Sequence, residues 1–225
     1  MTPQVRVRDA GAMRRAALLP LLLLASPTVA EAPPVAEPWA ACTRAIAAAE
    51  RGAGIPPGLL LAIARVESGR PAPAGGVVPW PFAINADGEG RFPPTRDAAI
   101  AEVEALRARG VRSADVGCMQ VNLLHHPDAF PSLAVAFDPA ANVAYAVRFL
   151  RDLRARTGNW AEAVAQYHSM DPARGLGYHA RVTVARAAGG TLLLAPATLR
   201  GLCAPGRRAA VLVAPNGRPR VACRG

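Results

Sequence analysis

The run Pro56-Pro57-Gly58-Leu59-Leu60-Leu61-Ala62-Ile63-Ala64-Arg65-Val66-Glu67-Ser68-Gly69 constrains this chain more than any other segment. Pro at its start and Gly at its end follow the asymmetry of helix termini, so the run reads as a helix. At about 100° per residue, Leu59, Ile63 and Val66 share one apolar stripe, and Glu67 falls between Ile63 and Leu60. The helix therefore carries a carboxylate toward its packed side, with Arg65 facing out. Partial desolvation and the negative end of the helix dipole both act to raise the pKa of Glu67. A carboxyl kept protonated near neutral pH can serve as a general acid. The competing reading is an ordinary solvated Glu paired with Arg65 or Arg70, and this helix alone does not decide between the two.

The rest of the chain is also mainly helical. Residues 39–51 show helical spacing, Thr95 caps a helix reaching about Arg109, and Asp138-Pro139 opens one reaching about Arg156. Residues 159–168 and 172–188 give two more. Between them, residues 70–93 are broken by Pro and Gly, with a short hairpin expected across Ala86-Asp87-Gly88-Glu89, and a loop carries residues 115–122. The expectation is six or seven helices with one small β element. Aromatics make up only 5% of the chain, so the helices must pack through small residues.

At 225 residues the chain is long enough for one domain with extensions. Arg14 and Arg15 precede the apolar run 16–25, and small residues follow at Thr28-Val29-Ala30 and Ala30-Glu31-Ala32. That pattern reads as a secretory signal over residues 1–30, too short to span a bilayer. Residues 31–38 then read as a flexible leader, 39–188 as the main domain and 189–225 as a basic extension. Residues 172–225 hold nine Arg and no acid, whereas residues 31–171 hold thirteen Arg against fifteen acids. The basic character thus belongs to the tail, which suits an anionic surface such as wall polymer, lipid headgroups or an acidic envelope partner. No helix-turn-helix or other nucleic-acid motif is present, and no nucleic-acid partner is expected.

Four cysteines in an exported chain point to disulfides, with three possible connectivities. The favoured pairs are Cys42–Cys118, tying the first helix to the segment before Gln120, and Cys203–Cys223, closing a β-hairpin tail with Pro215-Asn216-Gly217 as its turn. Free buried thiols are the alternative. No spacing suggests zinc or haem, His125 and His126 read as loop residues, and no metal or cofactor is expected.

Three further segments line up with Glu67: Gly117-Cys118-Met119-Gln120, Ala165-Gln166-Tyr167-His168 and Tyr178-His179-Ala180-Arg181-Val182. In this order the set resembles the soluble lytic transglycosylases (family 1), which have a goose-type-lysozyme-like helical fold. Val66-Glu67-Ser68-Gly69 resembles the catalytic Glu-Ser motif, Gly117–Gln120 the Gly-x-Met-Gln element, residues 165–168 the Ala-Tyr-Asn element, and residues 178–182 the closing Tyr segment. Residues 80–85 and Trp160 are similar to the small single-domain subgroup associated with secretion and conjugation systems. The resemblance covers roughly residues 40–185. It departs from the family at His168, where Asn often follows the Tyr, and this bears on which sugar group is held there.

The resemblance implies a periplasmic enzyme that cleaves peptidoglycan glycan strands between N-acetylmuramic acid and N-acetylglucosamine, leaving a 1,6-anhydro product. Glu67 would be first acid and then base. Glycosidases of the common type use a second carboxylate; here Asp87 and Glu89 lie in a turn and Asp115 precedes a Gly loop, so none stands out, though they remain within reach of a cleft. Gln120 suits an acetamido group or a sugar hydroxyl, or else braces its loop. Tyr167 would hydrogen-bond Glu67 or act as a core aromatic, and Ser68 would brace the carboxylate or cap the helix. Met119 and Tyr178 read as cleft lining and packing, and Trp80 and Phe82 as sugar-stacking rings or a hydrophobic lid. A non-catalytic wall-binding or assembly factor and a hydrolytic muramidase are the alternatives.

Overall fold

The computed structural model describes residues 1, 2, 4, 38–189, 208–213 and 219–224. Nearly all of the expected signal and leader segments, Cys203 and the turn expected at residues 215–217 lie outside the described residues, and Pro38, read as the end of the leader, is the first residue of the first helix. Chain order runs α1 (Pro38–Glu50), α2 (Leu59–Ser68), β1 (Gly69–Pro71), β2 (Val77–Pro79), β3 (Ile84–Ala86), β4 (Glu89–Arg91) and α3 (Arg96–Ala108). It continues with β5 (Ala114–Val116), β6 (Val121–Asn122), α4 (Leu133–Ala136), α5 (Pro139–Thr157), α6 (Trp160–His168), α7 (Pro172–Ala188), β7 (Arg208–Val213) and β8 (Pro219–Arg224). The fold is mainly helical and lysozyme-like, as expected.

Local chemistry sets the helix starts. Thr95, Asp138, Asn159 and Asp171 each accept a hydrogen bond from the backbone N–H three residues on, and each such cap contributes about 1 kcal/mol. The start of α2 is held differently. The carboxylate of Glu50, at the end of α1, accepts from the backbone N–H groups of Gly58 and Leu60 at 3.2 and 3.1 Å. An anion at a helix N-terminus is favourable, so the first two helices are joined by one side chain.

Two apolar clusters form the core. The larger joins Cys42 and Ile46 of α1, Leu60 and Ile63 of α2, Val143 and Leu150 of α5, Val164 of α6, and Tyr178 and Val182 of α7. Full burial of a side chain such as Leu60 or Ile63 contributes roughly 1.5–3 kcal/mol. The smaller cluster lies under the main sheet, where Ile84, Ala86, Ala114 and Val116 meet Ala99, Val103 and Leu106 of α3 and Phe137.

The main domain holds more β structure than the single hairpin expected there. Strands β4-β3-β5-β6 form one antiparallel sheet, and β1 pairs with β2 directly after α2. The expected hairpin is present as β3 and β4, joined by Asp87-Gly88 with φ of 55° and 78°, the positive-φ pair that matches strand twist. Residues 115–122 are a second hairpin and not a loop. Helix α4 also went unanticipated, since four residues give too little periodicity to read. Arg65 does not simply face out. It is half-buried, its Nε is enclosed with no hydrogen-bond partner, and burial lowers its pKa. In the tail, β7 and β8 pair antiparallel from Arg208↔Arg224 to Val213↔Pro219. Among the described residues no helix is long and apolar enough to cross a membrane.

Candidate active site

Glu67 occupies the last turn of α2 and opens onto a cleft of about 320 Å³ between the helical cluster and the main sheet. Tyr178 of α7, fully buried, donates its hydroxyl to Glu67 Oε1 at 2.5 Å. Burial pushes the Glu67 carboxyl up to about 7; the Tyr178 hydrogen bond opposes this, the charge of Asp115 adds to it, and Arg181 works against it. Desolvation thus outweighs a charge-assisted hydrogen bond, and the group holds its proton close to neutrality. The expected partner was Tyr167. Its hydroxyl instead donates to the Met119 carbonyl at 2.9 Å. The two tyrosines exchange the roles read from sequence, because α7 and not α6 crosses behind the carboxylate.

Residues 117–120 form the turn between β5 and β6, and most of the neighbouring elements are tied to it. Cys118 is disulfide-bonded to Cys42 of α1. Ser68 does not brace the carboxylate beside it; its hydroxyl lies within hydrogen-bond reach of the Ala64 and Cys118 carbonyls, at 3.2 and 2.7 Å. Met119 is a core residue and does not line the cleft. Its N–H donates to Asn142 Oδ1 at 2.8 Å, while Asn142 Nδ2 donates to the Val116 and Ala136 carbonyls. Gly117 has φ of 80°, and a Cβ there would meet Asn142 Nδ2 at 2.5 Å, so backbone sign and space both demand glycine. Gln120 also has a positive φ, 49°. Its Nε2 donates to the Ala83 and Gly117 carbonyls, so its amide nitrogen braces the turn while the residue lines the cleft.

The opposite wall was largely illegible from sequence. Asn85, Asp115 and Asn122 sit in one cross-strand row on β3, β5 and β6 and all line the cleft. Asn122 Nδ2 donates to Asp115 Oδ1 at 2.8 Å, yet burial dominates and raises the Asp115 pKa. Asp87 and Glu89 stand exposed on the β3–β4 hairpin and do not line the cleft. Tyr145 and Phe149 of α5 complete this side, and the Tyr145 hydroxyl lies 2.8 Å from His126 Nδ1. His125 and His126 therefore border the cleft as well. Among the described residues no group of three or more His, Cys, Asp or Glu could hold a metal ion.

His168, at the end of α6, lines the cleft with its ring parallel to that of Tyr178, 4.6 Å between centroids. Trp80 is not available to a sugar. It is buried against Trp39 and Phe82, its indole N–H donates to the Pro93 carbonyl, and the Arg70 guanidinium covers it at 4.7 Å. Cys223 is half-buried and disulfide-bonded.

Asn142 is the main residue missed. Its signal was a polar side chain on the apolar face that also carries Val143, Ala146 and Leu150. Asp115 gave a weaker signal, since only strand register sends it into the cleft.

Comparison with known proteins gives no match to a curated protein or to a solved structure. A family model described as the transglycosylase SLT domain matches residues 44–173, more than half of the chain, and spans Glu67, the 117–120 turn, Asn142 and His168. With that match over the residues that build the cleft, the chain belongs to the transglycosylase SLT domain family, the lytic transglycosylases that act on peptidoglycan.

Proposed function

We propose that the protein cleaves the β-1,4 bond between N-acetylmuramic acid and N-acetylglucosamine and leaves a 1,6-anhydromuramic acid end. The observation that carries this reading is Glu67 in the cleft wall, half-buried, its carboxyl pushed up to about 7 and bonded by Tyr178 at Oε1. Oε2 delivers its proton to the glycosidic oxygen as the C1–O bond breaks. The carboxylate so formed then takes the proton of the muramic acid 6-hydroxyl while that oxygen bonds C1, which regenerates the acid. The reacting hydroxyl belongs to the same sugar, so positioning supplies much of the rate. The muramic acid N-acetyl carbonyl shields the positive charge at C1. Gln120 faces the same cleft and accepts hydrogen bonds from sugar hydroxyl or acetamido groups through its carbonyl oxygen.

Asp115 favours a second reading. It shares the cleft with Glu67 and its charge reaches that residue. A carboxylate so placed can hold a water against C1, which would make the protein a hydrolytic muramidase. Mass spectrometry of soluble products from purified peptidoglycan separates the readings. Anhydromuramic ends, absent with Glu67→Gln, support the intramolecular route; products one water heavier support hydrolysis through Asp115. Absence of products, with binding to the wall intact, would point to a non-catalytic assembly factor.

The export signal, the periplasmic setting and service to a secretion or conjugation apparatus belong to the same proposal. Support comes from the N-terminal pattern, from the subgroup resemblance at residues 80–85 and Trp160, and from the Arg-rich tail. If the tail docks an envelope partner, deleting residues 200–225 abolishes localisation and spares activity on isolated wall. An equal loss of activity on isolated wall would refute docking.

A further inference from the structure

We propose that His168 is a positioning residue for Glu67: its ring roofs Tyr178 and keeps cleft water off the Tyr178 side of the carboxylate, leaving Oε2 open to the cleft. The inference rests on the reading of Glu67 as the acid. The two rings are 7° from parallel, 4.6 Å apart. Tyr178 is fully buried whereas His168 is exposed, so the imidazole is a layer between the phenol and solvent. The hydroxyl of that phenol is the donor to Glu67, and His168 and Glu67 line the same cleft. A side chain without a ring could not cover the aromatic face in this way.

The consequence has a definite sign. Burial is the largest influence on the Glu67 carboxyl. Removing the roof admits water, stabilises the carboxylate and lowers the pH at which Glu67 ionises. The charged and titratable groups around the pair are Asp115 on β5, Tyr167 on α6, and Arg181 on α7; Asp115, Arg174 and Arg181 surround His168. All of them survive truncation of His168, so a shift reports the cover. His168 itself titrates below the ordinary imidazole value, held down by burial and then by Arg181. Asp115 pulls the other way, and the uncharged ring of His168→Phe separates the cover from any charge on the imidazole.

The experiment is a 13C carboxyl titration of Glu67, assigned by its loss in Glu67→Gln, run beside the pH profile of kcat/KM on purified peptidoglycan. His168→Ala should lower the titration midpoint by about half a pH unit or more, and the alkaline limb of kcat/KM should move with it. His168→Phe, which restores an uncharged ring, should keep the wild-type midpoint. A midpoint unchanged in His168→Ala overturns the inference. So does a His168→Phe midpoint as low as that of His168→Ala, since the effect would then belong to the imidazole nitrogens. Wild-type turnover that survives Glu67→Gln would defeat the reading of Glu67 as the acid, while the carboxyl titration would still decide the role of His168.

Discussion

Glu67 should weaken the fold that holds it, and this can be measured without substrate. Its carboxyl is moved from the ordinary 4.5 up to about 7, chiefly by burial. The folded state therefore binds this proton more tightly than the unfolded chain does, and between those two pH values stability falls as pH rises. At 1.36 kcal/mol per pH unit the displacement amounts to about 3 kcal/mol, or ~2 kcal/mol after allowing for solvent reaching the carboxylate from the cleft. Glu67→Gln removes the ionisation while leaving an oxygen to accept from Tyr178. The variant should match the wild type near pH 4 and exceed it by about 2 kcal/mol at pH 8, on the order of 5 °C in melting temperature for a domain of this size. Urea denaturation of both proteins across that range provides the assay, and the difference between the two curves cancels every other titrating group. Parallel curves from pH 4 to pH 8 would mean that Glu67 is not desolvated, and the argument for a resident acid would fail with them.

Tyr178→Phe removes the hydrogen bond that lowers the Glu67 pKa, so the alkaline limb of kcat/KM should rise by about one pH unit, opposite in sign to His168→Ala, while the maximal rate falls. Asn142→Ala breaks three buried hydrogen bonds around the 117–120 turn and should cost about 3 kcal/mol, read by chemical denaturation; a loss under 1 kcal/mol would show that water replaces the amide. Removing the Cys42–Cys118 bridge, which closes a separation of 76 residues, by Cys42→Ala with Cys118→Ala should cost about 2–4 kcal/mol by the same assay.

The parts of this architecture legible in the sequence are those set by neighbours along the chain. Thr95, Asp138 and Asn159 announce helix starts because a cap bonds only three residues ahead, and Pro172 because its fixed φ suits a first helical position. Glu67 could be found because helical spacing alone puts it beside Ile63 and Leu60. What escaped was set by long-range geometry. Tyr178 reaches Glu67 across 111 residues, and nothing in either segment distinguishes it from Tyr167 as the partner. Asp115 enters the cleft by the register of three short strands, and segments of two or three residues carry too little alternation to reveal a face. Trp80 looked like a sugar platform since an aromatic in a Pro-rich segment has no visible cover; Trp39 and Arg70 supply that cover only in three dimensions.

The 117–120 turn ties together groups from three elements around the cleft. Ser68, adjacent to the acid, bonds the carbonyl of Cys118; Tyr167, bordering the cleft, bonds that of Met119; Gln120 is itself part of the turn. Helices α2 and α6 and the main sheet are thus referenced to a single four-residue datum, in the manner of a kinematic mount. A small drift of one element carries the datum with it, so its displacement is shared by the groups around the cleft instead of accumulating between them. Alignment tolerance in this site is a property of the mount, and a substitution there would blur several distances at once where a substitution elsewhere in the wall would blur one.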